Sequence, residues 1–91
     1  RRHSILVADA YAWALYANGR YVKAATMSRF AMSLGTRNAL IFFHAGMIDL
    51  RLGRRDGARS LLARAIATNP HFSILHAPVA ARTLATLGGA S

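Results

Sequence analysis

The chain has no cysteine and no glutamate, and its only side-chain carboxylates are Asp9, Asp49 and Asp56. Without cysteine there is no disulfide framework and no thiol nucleophile, and the redox compartment stays open. Three carboxylates spread over three predicted elements do not make a paired general acid and base. No apolar run approaches the ~18–20 residues needed to cross a bilayer. The short apolar stretch from Ile5 to Ala8 is broken by Asp9 too soon for a signal-peptide core. Phosphate-binding G-x-x-x-x-G-K and the nucleophile elbow G-x-S-x-G are both missing. Cytoplasm is the default address, and a chain that starts at Arg1 rather than Met reads as a piece of something longer.

Histidine offers little more. His71 and His76 are five apart on an irregular segment, and His3 lies in a terminal tail. His44 falls in a predicted helix with no His or acid four residues away. All four read as surface or boundary residues, so no metal and no cofactor is expected. These absences together point away from an enzyme, and no catalytic residue is assigned.

What is present is alanine, arginine and punctuation. Of 91 residues, 54% are apolar, and Lys plus Arg number 12 for a net charge of +9. Such a chain makes one compact unit near the lower size limit for a self-sufficient core. Its charge draws it towards nucleic acid, acidic peptide or lipid head groups, although the same enrichment also follows from genomic base composition. The small residues are ordered. Ala12 answers Gly46, Gly19 answers Gly53, Ala24 answers Ala58 and Ala31 answers Ala65, each pair 34 residues apart. One period shared by four small positions is the signature of a helix–turn–helix repeat.

Hydrophobic spacing and Gly or Pro stops predict helices over 5–17, 21–34, 37–52, 55–68 and 78–87, with no strand. Ser4 and Thr36 are the expected N-caps of the first and third, and residues 1–4 a linker. Pro78 is expected in the first position of the last helix. Gly46, midway along the third helix, marks a place where a partner helix crosses closely. Gly88-Gly89 is expected to end the ordered chain.

These residues carry a resemblance. Phe42, Gly46, Gly53, Ala58, Leu62, Ala65 and Pro70 in one unit, and Ala12, Leu15, Gly19, Tyr21, Ala24 and Ala31 in the other, resemble the tetratricopeptide repeat (TPR) pattern. Ala8, Ser28, Thr36 and Asp49 depart from it. The resemblance implies an all-α fold, a right-handed superhelical stack of antiparallel helix pairs. Repeat 1 would cover about 5–36, repeat 2 about 37–72 and a capping helix about 73–88, in a single domain over 1–91.

The resemblance also implies a function, binding a protein or peptide in the concave surface of the first helix of each pair. It places Leu6, Asp9, Trp13 and Tyr16 there from repeat 1, and Leu40, Phe43, Met47, Leu50 and Arg51 from repeat 2. An aromatic, methionine-rich groove suits an apolar peptide or a partner helix. Asp9, Trp13, Phe43 and Met47 stand where the carboxylate-clamp members of the family carry Lys, Asn and Arg, so a chaperone C-terminal carboxylate is not the expected ligand. Alternatively the C-terminal segment, or another copy of the chain in a homodimer, covers these residues. A separate reading starts from Arg51, Arg54, Arg55 and Arg59, which cluster at the third-to-fourth helix turn and can contact the phosphates of a nucleic acid or another polyanion.

Overall fold

An alanine-rich helix carries too little apolar surface on one stripe to be stable alone, so short turns that fold it back on a neighbour do most of the building. The computed structural model describes residues 2–88. They form five helices, α1 (Arg2–Ala17), α2 (Tyr21–Ser33), α3 (Ala39–Arg51), α4 (Arg55–Thr68) and α5 (His76–Thr86), with no strand among the described residues. Helix α1 packs chiefly on α2 and α3 chiefly on α4, while α2 bridges to α3 and α5 closes over α4.

The two hairpin turns are built alike. Gly19 and Gly53 both take φ 76°, a left-handed conformation that costs a residue with a Cβ about 1 kcal/mol or more. The amide of Arg20 donates to the carbonyl of Leu15 and that of Arg54 to the carbonyl of Asp49, both at 2.9 Å. With Gly19 donating to Tyr16 and Gly53 to Leu50, each turn is a Schellman cap. Ala12, Ala24 and Ala31 are fully buried, as are Ala58 and Ala65 at the matching positions of the second hairpin. At Gly46 α3 lies close against α4. A Cβ there would stand 2.9 Å from both Cγ and Cδ2 of Leu62.

Helix ends differ from expectation in three places. Helix α1 runs back through Ser4 to Arg2, so Ser4 is an internal residue and 2–4 are not a linker; Arg1 lies outside the described residues. Helix α3 is capped by Asn38, whose side-chain oxygen accepts from the amide of Leu40 at 2.9 Å. Thr36 caps nothing helical; its hydroxyl accepts from the amide of Asn38 at 3.0 Å and holds the preceding turn. Helix α5 starts at His76, whose amide donates to the Ser73 hydroxyl at 3.1 Å. Pro78 is therefore the third helical residue, still within the first turn where amides have no intrahelical partner. Gly89 falls outside the described residues.

Two apolar clusters result. Ala12, Leu15, Ala24 and Ala25 of the first hairpin close on Ile48 of α3. Phe42, Phe43, Ala58, Leu62 and Ala65 of the second hairpin close on Ala80, Leu84 and Leu87. Helix α5 is thus part of the core of the second hairpin.

Candidate functional site

Asp9, Trp13 and Tyr16 follow one another at helical spacing along α1, and the structure brings a run of rings together beside them. Tyr21 lies 5.6 Å from Tyr16, Tyr16 lies parallel to Trp13 at 4.5 Å, and Trp13 lies over His44 at 4.0 Å. His44 Nδ1 in turn meets both carboxylate oxygens of Asp9, at 2.9 and 3.0 Å. Such near-parallel ring pairs each contribute about 0.5–1.5 kcal/mol beyond area burial.

The pairing of His44 with Asp9 corrects the expectation of a surface or boundary histidine. His44 and Asp9 are each only 6% exposed. A buried carboxylate needs a hydrogen-bonding partner, and His44 is the one this fold supplies. Sequence reasoning missed it because the two residues are 35 apart, one off the repeat period. The signal was Asp9 itself, a charge set into an apolar stripe. The pair ties α1 to α3.

The nine groove residues fall into distinct environments. Trp13, Tyr16, Leu40, Met47 and Leu50 are half-buried, and Arg51 is exposed. Asp9 and Phe43 are buried. Phe43 is covered by Phe72 at 5.6 Å and by the His76 ring at 5.0 Å. Leu6 is exposed, but in another cleft, with Leu34, Thr36, Arg37 and Asn38. Arg51 stands 5.9 Å above the Tyr21 ring. Hydrogen bonding to Tyr16 first, then the charges of Tyr16 and Tyr21, push its guanidinium above its ordinary value.

The arginine cluster is partly neutralised. Arg54 lies 3.6 Å from Asp49, and Arg59 is paired with Asp56. Arg51 is engaged by tyrosines, which leaves Arg55 as the exposed member without a carboxylate partner among the described residues. The described residues contain no group of three His, Cys, Asp or Glu that could hold a metal ion. None of their helices is long and apolar enough to cross a membrane.

No family model matches this chain, and no curated protein or solved structure does.

Proposed function

We propose that this chain is a non-catalytic protein-interaction module with a TPR-like stack of helix pairs, which holds a peptide or partner helix across the α1–α3 face. The turn geometry and the buried small positions that recur at 34 residues support the repeat reading. One observation carries the functional reading. Trp13 and Tyr16 are held parallel at 4.5 Å and half open, and the exposed cation Arg51 is hydrogen-bonded to Tyr16. Aromatic rings already fixed in place lose little freedom when a ligand covers them. The arginine reading is weaker, because two of its four members already face carboxylates.

The test is selection of displayed random peptides against the full chain, followed by calorimetry on single variants. Tyr16→Ala and Leu50→Asp are expected to weaken the selected peptides about tenfold or more, as truncation of a central interface residue does. Peptides that bind both variants as well as the parent would place the ligand elsewhere. A random oligonucleotide whose binding is strong and falls steeply with salt would instead support the arginine reading.

A further inference from the structure

The chain has three side-chain carboxylates, and each already has a partner: Asp9 meets His44, Asp49 lies near Arg54 and Asp56 is paired with Arg59. Arg20, Lys23 and Arg51 are exposed and have no carboxylate partner among the described residues. These three cations gather round one ring. The guanidinium of Arg51 stands 5.9 Å from the centre of Tyr21. Arg20 directly precedes Tyr21, and both line, with Lys23, a surface cleft of about 390 Å³. Arg51 ends α3, whereas Arg20 and Lys23 belong to the start of α2, so the packing of the two hairpins assembles the patch. Arg51 is also hydrogen-bonded to Tyr16, the ring that lies on Trp13. A planar guanidinium fixed in this way loses little freedom on binding, and its remaining N–H donors suit the two oxygens of a carboxylate.

Resting on the peptide-binding reading above, we propose that this patch binds the acidic side chains of the peptide held on the α1–α3 face, with one carboxylate on Arg51. From Trp13 through Tyr16 to Tyr21 the ring centres are 4.5 and 5.6 Å apart. An extended peptide rises about 3.3 Å per residue, so its Asp or Glu lies within about three residues of the apolar side chain that covers Trp13 and Tyr16. Charge selects the source of that acid. A second copy of this chain carries the same +9, and its side-chain carboxylates are already partnered. Single-stranded nucleic acid needs ring faces on which bases stack. Here Trp13 is already stacked by Tyr16 and by His44, and Arg51 covers Tyr21. An acidic segment of a different protein fits both the charge and the rings.

The test is selection of random peptides displayed at the N-terminus of a coat protein, where they have no free C-terminal carboxylate, at about 0.15 M salt. The targets are the full chain and its Arg51→Gln, Arg51→Glu and Arg82→Gln variants. The altered residues are exposed, and circular dichroism checks that the variants stay helical. The parent and Arg82→Gln, which removes the same charge from α5, are expected to enrich Asp or Glu at a fixed spacing from an apolar residue. Arg51→Gln is expected to keep the apolar position and lose the acidic one, and Arg51→Glu to select Lys or Arg there. Replacing the enriched acid by its amide in a synthetic copy is expected to weaken binding to the parent about tenfold and to leave binding to Arg51→Gln unchanged. Acidic enrichment that survives Arg51→Gln, or that falls equally with Arg82→Gln, reduces the effect to net charge and overturns the proposal. Enriched peptides that depend on Tyr16 in a Tyr16→Ala comparison but carry no acid overturn it while the groove reading stands. Peptides indifferent to Tyr16→Ala, or no enrichment at all, overturn both. A random single-stranded oligonucleotide that outcompetes the peptides and loses affinity with Arg51→Gln makes the patch a phosphate site and also overturns the proposal.

Discussion

Asp49 is a carboxylate partly buried between helices. The TPR-like pattern has a large apolar side chain there, and the structure sets its carboxylate into the seam between α2, α3 and α4. Burial pushes its pKa above the ordinary 3.8, and the charge of Arg29 only partly opposes this. Arg54 at 3.6 Å is half exposed, and such a pair contributes little. The sign follows. Below pH 3.8 both folded and unfolded chains hold the proton and Asp49 costs nothing. As pH rises the unfolded chain loses its proton first, so stability falls until the folded group has also ionised and stays lower above that. Asp49→Asn is therefore expected to stabilise the protein at pH 7 by up to about 1 kcal/mol, and to have a smaller effect near pH 3. Urea midpoints of both proteins at the two pH values check it. A variant less stable at pH 7 would mean that the contacts of the carboxylate outweigh its burial. Nearby, the Ser28 hydroxyl is buried without a hydrogen-bond partner, a second polar group at a place where the repeat pattern has Leu or an aromatic.

Between elements, the two helical glycines at the α3–α4 contact make opposite predictions. A Cβ on Gly46 meets Leu62, a fully buried side chain, and stands 3.4 Å from the carbonyl oxygen of Ala58. Nothing there can give way without moving a helix. Gly46→Leu is expected to cost about 1–3 kcal/mol by overpacking. A Cβ on Gly57 meets Asp49 Oδ2 at 2.7 Å, the far end of a side chain that can turn aside towards Arg54. Gly57→Ala is therefore expected to be neutral or to stabilise by up to about 1 kcal/mol, since Ala favours a helix over Gly by that much. Chemical denaturation of the pair is decisive. A near-neutral Gly46→Leu would mean that α3 and α4 separate easily at the crossing.

Across the whole molecule, α5 and the chain leading into it decide how far the second hairpin is covered. Its Ala80 and Leu84 belong to the cluster of Phe42, Phe43 and Leu62, and the chain leading into it covers Phe43. A charge at Leu84 cannot stay in that cluster. Leu84→Asp is expected to lower stability by about 2–5 kcal/mol, the range for losing a buried leucine. It is also expected to raise binding of a hydrophobic dye as α5 lifts away. If the variant keeps the parent's midpoint and binds no dye, α5 is a loosely held tail and Phe43 is free to meet a ligand.

Much of this architecture is legible in the residues because it is local. Gly19 and Gly53 specify the turns through backbone sterics, Pro70 stops α4, and the buried alanines mark the faces where helices approach. Each of these depends on groups within a few residues of one another. What the tertiary structure decided is long-range. Thr36 reads as the cap of α3, but Asn38 caps it and Thr36 holds the turn before it. The partner of Asp9 was hidden because a buried charge states a need and not its answer, and His44 meets it only when α1 lies against α3. Phe43 reads as groove or core equally well by spacing, and Phe72 and His76 make it core by folding over it. A helical period says which residues share a face; what covers that face depends on where distant segments come to rest.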